Sequence, residues 1–125
     1  MNDRKRLLVI NDEPDMLYQL ERWLTKEGYM VDSTLWGNEG VKFANNGHYD
    51  LILLDYNLKK ELDGEKTARA FIPALVRANP LTPIIIISAT EQSISAKKLG
   101  VKAVLIVDRS FWKRLLNLIN ETLNN

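Results

Sequence analysis

Three short aliphatic runs, "LLVI" at 7–10, "LILL" at 51–54 and "IIII" at 84–87, punctuate the chain, and each gives way at once to polar residues. Continuous apolar runs of this length predict strands covered on both faces. Between them the period changes. After Pro14, residues Leu17, Leu20, Trp23 and Leu24 recur at helical spacing until Gly28. "YMVDSTL" (29–35) alternates and predicts a second strand nearer an edge, followed by a short helix over 38–46 that ends at Gly47. A third helix is expected to carry Ala68, Phe71, Ile72, Leu75 and Val76, with Pro73 kinking or interrupting it from inside. Ala96 to Leu99 forms a short fourth helix before Gly100. "VKAVLIV" (101–107) reads as the fifth strand, and a last helix starts near Ser110, its expected N-cap, with Phe111, Leu115, Ile119 and Leu123 on one face.

Strict alternation of doubly buried strands with helices predicts the α/β class: one doubly wound, five-stranded parallel sheet with helices on both faces. No linker or repeat divides the chain, so residues 1–125 are expected to form one domain. In open sheets of this kind ligands bind beyond the carboxyl ends of the strands. The residues just past those ends are Asn11, Asp12, Glu13, Asp55, Ser88, Thr90, Asp108 and Arg109.

Composition removes several alternatives. A net charge of +1 gives no global electrostatic case for nucleic acid or an anionic membrane. There is no cysteine, hence no disulfide, thiolate metal site or cysteine nucleophile, which suits a reducing cytoplasm. Only the four apolar residues Leu7 to Ile10 precede Asn11, short of the ~7–15 of a signal peptide, and no run approaches the ~18 of a membrane span. The loop after the first strand, Asn11-Asp12-Glu13-Pro14, has two acids and no glycine, so it would repel a bare phosphate. Neither GxGxxG nor GxxxxGK[ST] occurs, which argues against a dinucleotide or P-loop enzyme.

In the common strand order 2-1-3-4-5 the first and third strands are neighbours, which brings Asp12 near Asp55. Two carboxylates in a partly buried cleft repel each other and need a proton or a cation. Oxygen-only ligands with room for water suit Mg²⁺ or Mn²⁺. A hydroxyl from Ser88 and a cation such as Arg109 on the opposite side would complete a phosphoryl-binding site in which Asp55 attacks. The plainer reading, in which each of these is a turn residue, a helix cap or a solvated side chain, stands beside it.

"LLVINDEPDMLYQLERWL", "YDLILLDYNL", "DG" and "PIIIISA", in that order and spacing, resemble the receiver domain of bacterial two-component response regulators, from Leu7 to about Leu123. The resemblance implies a flavodoxin-like sheet in the order 2-1-3-4-5. It implies that Asp55 accepts a phosphoryl group from a phosphohistidine on a sensor histidine kinase or phosphotransfer protein. Mg²⁺ (or Mn²⁺) would be held by Asp12, the Asp55 carboxylate and the backbone carbonyl of Asn57. Ser88 would bind a phosphoryl oxygen, while Asn57 and Thr90 would tune hydrolysis of the acyl phosphate. It further implies a cytoplasmic signalling domain catalysing only its own phosphorylation and dephosphorylation, without direct nucleic-acid or membrane binding. The fourth helix, fifth strand and fifth helix are the surface it implies for partners or a homodimer, and no output domain is visible.

The sequence departs from the family pattern in several places. Asn11 stands where a second acid usually holds a metal-bound water, which predicts weakened Mg²⁺ binding. The stretch "NLKKELDG" lacks the usual proline and is one residue longer. The fifth strand normally ends in Lys-Pro; here it reads "VLIVDRSFW", with Val107 at the lysine position by strict spacing, and Arg109 reaching the site only if the strand end is slipped. Val104 replaces an aromatic switch residue. A degenerate receiver that binds partners independently of phosphorylation is therefore the main alternative. A hydrolase of the haloacid dehalogenase type would need a general acid at Asn57, which an amide cannot supply.

Overall fold

The computed structural model describes residues 4–58, 64, 66–89 and 94–124. Five strands, β1 (Arg6–Ile10), β2 (Met30–Thr34), β3 (Leu51–Asp55), β6 (Ile84–Ser88) and β7 (Ala103–Ile106), pair in parallel in the spatial order β2-β1-β3-β6-β7. Counting only these five, the order is the expected 2-1-3-4-5. Two further strands form a separate antiparallel ribbon, β4 (Asn57–Leu58) with β5 (Lys66–Thr67), immediately after β3. The sequence reading had a polar loop there.

The period-2 geometry of a strand sorts the aliphatic runs onto two faces. Leu7, Val9, Leu51, Leu53, Ile85, Ile87 and Leu105 face α1 (Pro14–Lys26) and α5 (Phe111–Leu123), and bury Leu20, Leu24, Leu115 and Ile119. Leu8, Ile10, Ile52, Leu54, Ile84 and Ile86 face the other way, onto α2 (Gly37–Asn46), α3 (Ile72–Ala78) and α4 (Ala96–Leu99). Both faces of the sheet are thus dry, which explains why these strands are continuous apolar runs. On the first face α1 and α5, from opposite ends of the chain, close the layer with Trp23 against Trp112, ring centroids 4.5 Å apart.

Local chemistry sets the element ends. Pro14 and Pro73 both lie in the first turn of a helix, where no N–H is required. Pro73 therefore does not kink a long third helix. The segment divides instead into a 3-10 turn at Ala68–Ala70 and α3, with Pro73 starting the second piece. Gly100 ends α4 at φ 73°, a left-handed position that favours glycine. Ser110 sits at the start of α5 but its hydroxyl does not cap the helix. Asp108 does the local work: its Oδ1 accepts from the Ser110 N–H (3.0 Å), the Ser110 hydroxyl (3.1 Å) and Arg114 Nη2 (2.9 Å). The Arg114 bond is the main reason the Asp108 carboxyl titrates below its ordinary range.

At the opposite edge of the sheet, away from the strand carboxyl ends, the buried Asn79 clamps two loops. Its Oδ1 accepts from Tyr49 N, and its Nδ2 donates to the carbonyls of Ala44 and Gly47. Burial and a 2.6 Å hydrogen bond to Asp32 push the Tyr49 hydroxyl up to about 12.

Candidate functional site

The carboxyl edge of the sheet gathers the polar strand ends. β1 runs one step past Ile10, since Asn11 N–H donates to the Thr34 carbonyl (3.1 Å), and the chain then turns into α1. That turn is closed by the Asn11 side chain, whose Oδ1 accepts the Glu13 N–H at 3.0 Å. Asn11 and Asp12 are both buried, at 3% and 8% exposure. β3 ends on Asp55, paired with Ile87 of β6, and Tyr56 N–H extends the pairing to the Ile87 carbonyl.

Asp12 and Asp55 come within hydrogen-bonding distance of each other's side chains. Burial chiefly, then the hydrogen bond and negative charge of Asp12, push the Asp55 carboxyl up to about 7. Backbone N–H groups of Asn57 and Asp12 donate to the same carboxylate and partly oppose that rise. The crowded pair thus favours a proton or a cation between its carboxylates.

The ribbon explains why Asn57 is poised beside it. Ala68 N–H donates to the Tyr56 carbonyl at 2.7 Å, which brackets Asn57 and Thr67 as a pair without mutual backbone bonds. Both backbone groups of Asn57 therefore point away from the ribbon partner; the N–H reaches Asp55, and the carbonyl faces the same side. Two carboxylates and one backbone carbonyl make an oxygen-only set of the kind that suits Mg²⁺ or Mn²⁺ with waters completing the shell. Asp12, Asp55 and the Asn57 carbonyl fit such an ion. Among the described residues no three His, Cys, Asp or Glu side chains cluster for a metal, so Glu13, on the rim, does not replace the acid missing at Asn11.

A cleft of about 100 Å³ opens over Asp55, lined by Asn11, Glu13, Met16, Ile87, Ala89 and Val107. Ser88 is fully buried at the end of β6, and its carbonyl accepts Val107 N–H at 2.9 Å. With Ser88 paired to Ile106, β7 is not slipped: Val107 occupies the wall facing Asp55, while Arg109 is exposed and does not line the cleft. The structure therefore brings together Asp12, Asp55, Asn57, Asn11 and the end of β6, and leaves Arg109 out. Thr90 lies outside the described residues. Val107 lies where strict spacing put it, whereas Met16 and Ile87, which complete an apolar wall, were not among the expected site residues. Helical spacing from Pro14 was the signal for Met16.

A carboxylate pair at the carboxyl edge of a parallel 2-1-3-4-5 sheet, beside a buried serine, marks that edge as the candidate site of a doubly wound α/β fold. The chain belongs to the response regulator receiver domain family, whose profile matches residues 7–117. It is 33% identical over 88 residues to the transcriptional regulatory protein DltR of Streptococcus agalactiae, a match covering 70% of this chain and 37% of DltR. The chain thus spans little more than a third of that relative's length. The chemotaxis protein CheY4 of Vibrio cholerae superposes with a TM-score of 0.82 at 20% identity, over 96% of this chain and 99% of CheY4. The response regulator TrrA of Thermotoga maritima, solved in complex with Mg²⁺-BeF, gives 0.80 at 24% identity over 95% and 99%. No described helix is long and apolar enough to cross a membrane.

Proposed function

We propose that Asp55 accepts a phosphoryl group from a phosphohistidine of a sensor histidine kinase or phosphotransfer protein, in a reaction that requires Mg²⁺ or Mn²⁺. The observation that carries this reading is the contact between Asp12 and Asp55, with the Asp55 carboxyl pushed up to about 7. A divalent ion bound there supplies charge neutralisation for the carboxylate pair and for the incoming phosphoryl oxygens. The chain's own part is positioning. The Asn57 and Asp12 N–H groups hold the Asp55 carboxylate at the strand end, where Asp55 lines the cleft. Asp55 attacks phosphorus, the P–N bond to the donor histidine breaks, and its electron pair returns to the imidazole. The Ser88 hydroxyl, at the buried end of β6, is assigned to a phosphoryl oxygen. The domain is then a signalling switch that catalyses only its own phosphorylation and dephosphorylation, with α4, β7 and α5 as the surface for partners or a second copy.

The test is incubation with acetyl phosphate and Mg²⁺, read by intact mass. One phosphoryl adduct is expected, absent in Asp55→Ala and without the divalent ion. A second reading, a partner-binding module independent of phosphorylation, is favoured by one observation: Val107 puts an apolar group on the wall facing Asp55. Partner binding unchanged by Asp55→Ala, with no adduct in the wild type, would establish it instead.

A further inference from the structure

Asn11 is 97% buried by its 3% exposure, lines the Asp55 cleft, and uses its side-chain oxygen to accept the Glu13 N–H at 3.0 Å. That bond fixes the orientation of the amide, because a backbone N–H requires the oxygen and not the nitrogen. The two Nδ2 hydrogens are thereby left for the cleft. Asn11 is one of the residues that line the cleft, so a group held over Asp55 stands next to this side chain. The side chain at this position consequently presents a donor where a carboxylate would present an acceptor. Water bound to a divalent ion offers hydrogens, which an N–H₂ group cannot receive. An anion beside Asp55 offers lone pairs, which it can.

We propose that Asn11 is a phosphoryl-positioning residue, its Nδ2 donating to an oxygen of the group carried by Asp55, and not a holder of metal-bound water. This rests on the reading of Asp55 as phosphoacceptor. The lack of a cationic side chain on the described wall motivates the role. Among the described residues that line the cleft none is cationic, and Val107, Met16 and Ile87 offer no donor side chain. With Asn11 in place of an acid, the negative side chains about the cleft are Asp12, Asp55 and Glu13. A further carboxylate at position 11 would add to the charge that repels the anion.

The two roles predict opposite signs for one isosteric change. Asn11→Asp keeps an oxygen for the Glu13 N–H, so the turn and the fold are retained, as melting at saturating Mg²⁺ will show. It turns the cleft-facing donor into an acceptor. Mg²⁺ affinity, followed by calorimetry on the unphosphorylated protein, should rise roughly tenfold with the added carboxylate. Affinity for beryllofluoride at saturating Mg²⁺ should fall by at least ~10-fold, the scale of a lost hydrogen bond to a charged group. Adding Val107→Lys to Asn11→Asp supplies a donor from the opposite wall and should restore beryllofluoride binding. If Asn11→Asp raises both affinities, or leaves beryllofluoride binding unchanged, Asn11 is not a donor to the anion and the proposal is overturned. A wild-type protein that binds Mg²⁺ but not beryllofluoride overturns the phosphoacceptor reading itself, a result distinct from either of these.

Discussion

Ile10 lies so close beneath Gly40 that a β-carbon on the glycine would stand 2.3 Å from Ile10 Cδ1. The contact joins α2 to the last residue of β1, immediately before the polar turn that carries Asn11 and Asp12. Gly40→Ala forces a fully buried isoleucine to shift in a packed layer, so overpacking should destabilise the domain by about 1–3 kcal/mol. Urea unfolding should show a lower midpoint with an unchanged slope. A variant as stable as the wild type would mean that α2 can lift from the sheet at no cost.

The Asp55 carboxyl gives the metal-free protein an inverted pH dependence. Its folded value of about 7 lies above the ordinary 3.8. Between those values the native state keeps a proton that the unfolded chain has released. Stability contributed by this group is therefore complete below about pH 4, falls as pH rises towards 7, and is level above it. Melting in chelator should show this decline, and Asp55→Asn should flatten it. Mg²⁺ must displace the same proton, so its apparent affinity should climb over the same interval.

Arg109→Ala should leave adduct yield and lifetime within about twofold of wild type, because a solvated side chain outside the cleft adds little to a site it does not touch. Val107→Lys, by contrast, should alter the adduct lifetime measurably. Quench-flow or radiolabel decay on both variants checks the pair, and a large effect of Arg109→Ala would return that arginine to the site.

Asn79→Ala should cost about 2–4 kcal/mol, since it strands the buried Tyr49 N–H and removes the donors to the Ala44 and Gly47 carbonyls. Phosphorylation by acetyl phosphate below the melting temperature should be unaffected, because the clamp lies at the far edge of the sheet. A thermal melt and an adduct assay on the same sample separate the two effects.

Much of this was legible in the residue pattern. The aliphatic runs fixed the strands because burial on both faces leaves no polar period to confuse them, and their polar ends placed Asp12, Asp55 and Ser88 on one edge. What could not be read depended on pairings and hydrogen bonds that carry no period in the sequence. The ribbon of Asn57–Leu58 with Lys66–Thr67 is too short to carry an alternating signal. Pro73 was read as kinking or interrupting one helix; the segment is interrupted just before it, but nothing local announced that the first piece is a 3-10 turn. Arg109 was a candidate only while the end of β7 could slip, and the pairing of Ser88 with Ile106 removes that freedom. Ser110 does stand at the N-cap position of α5, but its side chain makes no capping bond; the hydroxyl instead donates to Asp108.

The tilted packing of Trp23 against Trp112 has a use of its own. The two indoles sit on α1 and α5 and meet only when both helices have docked. Their excited states couple at such short range, so a circular dichroism couplet reports end-to-end closure without any label. Any ligand that shifts the outermost helices relative to each other will write its effect directly into that spectrum.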